Sequence, residues 1–267
     1  MEPDDPPPAP PPGTQTLARG LSIITAVAQG ADTLKSISTE TGIGRSTAHR
    51  LVQMLIVAGF LRKGVDNSYV LGPSLIEYGF LALQQNPVPF VARPVLEQLS
   101  QKLKDTVHLA IRENDEVFYL DKIPSLRGAE MRSRIGYRMP LTRTGIGKAL
   151  LLGEEHASWE RCFQSDHERY GPGPADAERF LTVMKRYTAM GATMDLEENE
   201  PGIRCVAAPV RDGSKSVVAA VSIAATRPYM PMERMRALVP VMREAALDIS
   251  TRLGYSAVTA GANRPRR

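Results

Sequence analysis

Thr144-Gly145-Ile146-Gly147-Lys148 places a hydroxyl, two glycines and a cation within one short stretch. A threonine at a helix start, followed by backbone N–H groups at the positive helix end, can cradle a small anion. It is not a nucleotide phosphate loop: in G-x-x-x-x-G-K-[ST] the first glycine is replaced by Thr142 and the final hydroxyl by Ala149. The ordinary alternative is a tight helix start that binds nothing. Farther on, Asp195, Glu197, Glu198 and Glu200 form an acidic run that could hold a metal or supply an acid–base pair. No histidine or nucleophile stands beside it, and such runs are usually solvated loops. Cys205 could be a nucleophile, a redox sensor or a small packed residue, and packing is the usual role of an isolated cysteine. His49, His108, His156 and His167 lack metal-ligand spacing and there is no CxxC, so neither a zinc site nor a cofactor is expected.

A different chemistry gathers near the N-terminus. Arg45, Ser46, Thr47, His49 and Arg50 lie on the outward side of a predicted helix start, with Lys35 on the preceding helix and Arg62 and Lys63 beyond it. Guanidinium, hydroxyl and imidazole groups suit phosphates and base edges in a major groove. The elements that must carry them are legible. Residues 17–29 place Leu17, Leu21, Ile24 and Val27–Ala28 on one helical stripe. Leu34–Thr41 reads as a second helix, with Leu34, Ile37 and Thr41 on one face. Gly42-Ile43-Gly44 is a turn. A third helix from about Arg45 to Ala58 turns Ala48, Leu51, Val52, Leu55 and Ile56 inward and ends at Gly59. Phe60–Lys63 and Ser68–Leu71 flank a hairpin turn at Gly64–Asn67. Three helices and a hairpin describe a winged helix-turn-helix. The competing reading is a plain three-helix bundle with a solvated face.

After a connecting helix at Pro73–Gln85, Asn86-Pro87-Val88-Pro89 should break the chain. A helix at Phe90–Leu103 follows. Strands are expected at Thr106–Arg112, Glu116–Ile123, Met131–Ile135, Ala192–Leu196, Cys205–Arg211 and Val217–Ala225, with a turn at Asn114-Asp115. Helices are expected at Gly145–Leu152, Asp176–Met190 and Met232–Leu253. This is an α+β fold class with a mixed or antiparallel sheet in the second domain.

Charge agrees with that division. The chain has 267 residues, 43% apolar and 23% charged, with a net charge of +4 and a pI near 9.1. Residues 1–14 carry −3, residues 15–72 carry +3, the last twelve residues carry +3, and residues 73–255 are nearly neutral. Such a composition excludes a wholly disordered chain, a coiled-coil rod and a collagen repeat. Apolar runs stop short of the ~20 residues that span a bilayer, so no membrane partner is expected. The N-terminus is acidic and proline-rich, unlike a secretory signal. With only Cys162 and Cys205, a cytoplasmic location is the expectation. The expected division is a disordered Pro-rich arm at 1–14, a DNA-binding domain at 15–72, a connecting helix and linker at 73–89, a second domain at 90–255 and a disordered basic tail at 256–267.

Six segments, ARGLSII, STAHRLVQMLIVAGFLRK, YVLGPSLIEYG, RIGYRMPLTRTGIGKALLL, DLEENEPGIRCVAAPV and ISTRLGY, resemble the IclR family of bacterial transcriptional regulators, in the family's order and across roughly residues 16–255. The resemblance implies a winged helix on operator DNA and a GAF-like effector-binding domain. It also implies a homodimer or dimer of dimers. KIPSLRG and SRIGYRMPLTRTGIGK look most like regulators of sugar-acid catabolism. Carried over by position, the resemblance implies that Gly145 and Ile146 amides hold a small carboxylate effector, with Asp195, Cys205 and Ser222 in contact and Glu198 the alternative acid. Met131 and Leu141 would form an apolar wall, and Arg132 and Arg134 are either charges behind it or part of a solvated face. A second serine of glyoxylate-sensing members is replaced by Ala224, which leaves room for a larger ligand. The function implied is repression of a catabolic operon. The competing function is a small-molecule enzyme using Cys205.

Overall fold

Thr33 and Ser36 start the second helix by capping each other: the Ser36 N–H donates to Thr33 Oγ1 at 3.1 Å and the Thr33 N–H to Ser36 Oγ at 3.0 Å. This reciprocal cap satisfies two otherwise orphaned backbone donors. In the computed structural model, which describes residues 11, 13–85, 87–127, 131–173 and 175–256, such local signals set most boundaries. The expected arm before Pro11 and the expected tail from residue 257 lie outside the described residues. The chain divides into two units, residues 1–86 and 87–267.

The first unit contains α1 (Gln15–Ala28), α2 (Leu34–Thr41), α3 (Arg45–Val57), β1 (Leu61–Lys63), β2 (Tyr69–Leu71) and α4 (Pro73–Gln85). Gly42 takes a left-handed φ of +66° at the end of α2, and Gly59 takes +73° after α3. The Phe60 N–H then returns to Leu55 O at 2.9 Å. β1 and β2 pair antiparallel, Arg62 opposite Val70, with Asn67 at positive φ in the turn. Ile23, Ala26, Val27, Ile37, Ala48, Val52, Leu61 and Tyr69 form the core. The stripe expected on α1 is corrected here. Val27 is buried as expected, but Leu17, Leu21 and Ala28 are exposed and Ile24 is half-buried, while Ile23 and Ala26 are buried. Apolar residues occur all around α1, so periodicity alone does not choose the face; packing on α2 and α3 does.

The second unit contains α5 (Pro87–Leu103), β3 (Thr106–Glu113), β4 (Glu116–Ile123), β5 (Arg138–Met139), α6 (Gly145–Leu150), α7 (His156–Tyr170), α8 (Ala177–Met190), β6 (Thr193–Leu196), β7 (Ile203–Arg211), β8 (Val217–Thr226) and α9 (Met232–Arg252). One six-stranded sheet, ordered β5-β4-β3-β8-β7-β6, is antiparallel throughout. Asn114 and Asp115 both hold positive φ between β3 and β4, the geometry such tight hairpins demand.

Three expectations are corrected. The chain does break at Asn86, where the two units divide, but Pro87-Val88-Pro89 is not linker: all three are helical and open α5, because proline is tolerated in a helix's first turn. Met131–Ile135 is not a strand; the edge strand is the two-residue β5. The α7 helix was not anticipated. Its residues are mainly polar, and it buries only Ser158, Trp159, Cys162 and Asp166, too sparse a face to announce itself by period.

Candidate functional site

In the first unit, Lys35, Arg45, Ser46, His49, Arg50 and Arg62 are exposed, and Thr47 is half-buried. The first turn of α3 therefore presents its polar side chains outward while Ala48 and Val52 anchor it to the core. Lys63 is different. Its Nζ donates to Asn67 O at 3.1 Å and lies 3.8 Å from the Tyr69 ring centroid, so it braces the hairpin it belongs to. Arg19 and Ser22, which sequence reasoning passed over, join Thr47 in lining a cleft at the Gly42–Gly44 turn. Their one signal was position on the outer side of α1.

In the second unit, a cavity of about 360 Å³ opens over the curled sheet, within the size range of small-molecule sites. Met131, Gly145, Ile146, Asp195, Cys205 and Ser222 all line it, as do Arg132 and Ala224. Leu141 does not. It is fully buried, with its backbone packed against Gly147 beneath α6, so the apolar wall comes from Met131, Met139, Ile146 and Ile203 instead. Glu198 also turns away from the cavity, to Lys148. His108, Tyr119, Ser133 and Asn199 line it as well, and they were missed because they come from separate strands and loops with no local spacing in common.

The glycines of the Thr144–Lys148 segment are there for close approach. A Cβ on Gly145 would stand 2.8 Å from Cys205 Sγ and 3.3 Å from the Asp195 backbone nitrogen. Thr144 Oγ1 accepts the Gly147 N–H at 3.0 Å, and Thr193 Oγ1 donates to Gly145 O at 2.6 Å. The helix start is thus pinned to β6 and β7. Behind it, the fully buried Lys148 pairs with Glu198, whose backbone N–H donates to Asp195 Oδ1 at 2.8 Å.

Burial, relieved in part by Lys148, raises the Asp195 carboxyl to about 6. Burial likewise pushes the Cys205 thiol up to about 12. A nucleophilic cysteine needs its thiolate, and the burial of Cys205 works against one. Among the described residues, no group of three or more His, Cys, Asp or Glu side chains is placed to hold a metal ion.

The Asp195 shift has a consequence for stability. The folded state holds this proton more tightly than an unfolded chain, whose aspartate titrates near 3.8. Stability therefore falls as pH rises from about 4 to about 6, and above that the ionised group costs about 3 kcal/mol. Asp195→Asn keeps an oxygen for the Glu198 N–H. We expect it to flatten that part of the stability–pH curve and to raise the melting temperature at pH 7. Urea titrations at pH 4, 5, 6 and 7 check this, and parallel curves for the two proteins would refute it.

A family model described as the IclR helix-turn-helix domain matches residues 16–64, and one described as bacterial transcriptional regulator IclR C-terminal matches residues 80–251. The HTH-type transcriptional regulator XynR of Escherichia coli K12 is 30% identical over 248 residues, covering 91% of this chain and 98% of that protein. KdgR of the same strain is 31% identical over 225 residues, covering 83% and 86%. A crystal structure of an IclR homolog from Microbacterium hydrocarbonoxydans, complexed with 4-hydroxybenzoate, superposes with a TM-score of 0.78 at 27% identity, covering 89% of this chain and 98% of that one. No helix among the described residues is long and apolar enough to cross a membrane. With two family models spanning the winged helix-turn-helix and the cavity-bearing α+β domain, the chain belongs to the IclR family of DNA-binding transcriptional regulators, which are not enzymes.

Proposed function

We propose that this regulator represses a catabolic operon and releases its operator when a small carboxylate, a sugar acid or keto acid, enters the cavity of the second unit. The observation that carries the reading is the convergence of Gly145, Ile146, Asp195, Cys205 and Ser222, from four separated stretches of chain, on one cavity. The carboxylate meets the first backbone amides of α6, with the Lys148 charge behind them. Asp195 accepts hydrogen bonds from ligand hydroxyls. The bound 4-hydroxybenzoate of the Microbacterium protein, itself a small carboxylate, supports the class. The regulator acts as a homodimer or dimer of dimers on half-sites a helical turn or a multiple apart, and the effector shifts the placement of the two winged helices.

The effector half of the reading is tested by thermal shift across sugar acids, keto acids and hydroxybenzoates. At least one should raise the melting temperature and release the promoter fragment, and Asp195→Ala should abolish both effects. A flat response across the panel would refute the effector. The DNA half is tested by gel shift on the protein's own promoter region. Arg45→Ala or Arg50→Ala should weaken binding by roughly 10- to 100-fold, the worth of a base or phosphate contact of about 1–3 kcal/mol. Undiminished affinity in both variants would remove α3 as the reading helix.

A further inference from the structure

The cavity has a second polar end, beyond Ser222, that the carboxylate reading does not use. His108 on β3 is only 4% exposed, and its Nε2 shares a hydrogen bond of 2.7 Å with Ser133 Oγ. The ring also packs on Tyr119, with centroids 4.9 Å apart. Lys122 on β4 fixes the segment carrying Ser133 by donating to Met131 O at 2.8 Å and Ser133 O at 2.5 Å. These contacts are a built arrangement rather than a chance of surface side chains.

Register shows how far this end lies from the other. Asp195 pairs with Cys205 and Cys205 with Ala224, while His108 pairs with Ser222. From β6 to β3 there are three inter-strand spacings, about 14 Å on a flat sheet. Curling shortens that gap and lets both ends face one space. A two-carbon acid held at Gly145 and Asp195 reaches only one of them.

The chemistry of the far end selects what it can bind. Burial and the Lys122 charge lower the His108 pKa to about 3, so the imidazole is neutral. In either tautomer, a neutral imidazole hydrogen-bonded to a serine hydroxyl still offers both donor and acceptor capacity. A hydroxyl group is the neutral ligand that needs both.

We infer that His108 and Ser133 read a hydroxyl several bonds away from the effector's carboxylate, so that the regulator selects hydroxylated acids long enough to span the curled sheet. This rests on the carboxylate reading of the same cavity and adds the residues that set its selectivity. The shared chemistry has two sources, phenolic acids and aldonic acids.

Titration calorimetry with matched pairs separates them: 4-hydroxybenzoate against benzoate, and xylonate against pentanoate. In the native protein at least one hydroxylated member should bind about tenfold or more tightly than its bare partner, the discrimination expected when a buried polar site is left unfilled. The pair that shows it names the source. His108→Phe and Ser133→Ala should each lower that ratio by about threefold or more. His108→Gln, which keeps a donor and an acceptor, should retain most of it. A preference that neither variant lowers comes from elsewhere, Asp195 included, and overturns the inference. So does a ratio of one in the native protein when the bare acids bind, an outcome that leaves the carboxylate reading standing. If no acid of either pair binds, the carboxylate reading falls and takes this inference with it.

Discussion

Gly147→Ala is expected to destabilise the effector-binding unit by about 3 kcal/mol, lowering its melting temperature by roughly 10 °C. The added Cβ would stand 2.3 Å from Leu141 O and 2.6 Å from Leu141 Cα. Those are backbone atoms, so no rotamer change can relieve the clash. Nor can the loop beneath withdraw easily. Thr142 is tied to Asp166, which accepts the Thr142 N–H at 2.7 Å and its hydroxyl at 2.6 Å. Either α6 lifts from the sheet or this buried anchor breaks. Because Gly145 and Ile146 of the same short helix line the cavity, ligand-induced stabilisation should vanish with it. Differential scanning calorimetry with and without a binding acid reads both effects, and an unshifted transition would show that α6 does not rest on Leu141.

The winged-helix unit has a corresponding weak point at Gly72. A Cβ there would lie 2.1 Å from Gly59 O, 2.8 Å from Gly59 C and 2.9 Å from Leu61 N. This is where β2 returns against the end of α3, with the Gly72 N–H donating to Phe60 O at 2.8 Å. We expect Gly72→Ala to cost about 3 kcal/mol through the same backbone conflict. The proportional effect is larger, because the buried apolar cluster of this unit is ten side chains among the described residues, and small domains have little stability in reserve. Operator binding at 37 °C should be largely lost. Gly79→Ala is the matched control: it lies in α4 with nothing within 4 Å of the added Cβ, and glycine-to-alanine within a helix stabilises by up to about 1 kcal/mol. Equal melting temperatures for the two variants would refute the packing argument.

Much of the scaffold was legible because local chemistry decides it. The span of α2 follows from its Thr33–Ser36 cap and the left-handed Gly42. The β3–β4 hairpin follows from Asn114-Asp115, residues that tolerate positive φ. The errors share a cause as well. Leu17 and Leu21 satisfy helical periodicity as well as Ile23 and Ala26 do, and only the neighbouring helices determine which pair is covered. Leu141 was expected in the cavity wall from the family resemblance, yet it lies under α6 because Gly147 lets that helix settle onto its backbone.

The sequence by itself determined the two kinds of chemistry and their order along the chain: a basic, hydroxyl-bearing helix start at Arg45–Arg50 in a positively charged segment, then a capped glycine segment at Thr144–Lys148 ahead of Asp195 and Cys205. Charge, caps and turn residues act over a few positions, so they can be read in one dimension. What shares the cavity follows from strand pairing over the whole domain. The curl and antiparallel register of the sheet bring His108 and Ser133 to the far end of a space whose near end holds Asp195, and bury Lys148 against Glu198 behind it. Those neighbours are set by strand pairing across the whole domain, and it is their burial that raises Asp195, keeps His108 neutral and leaves Cys205 a thiol.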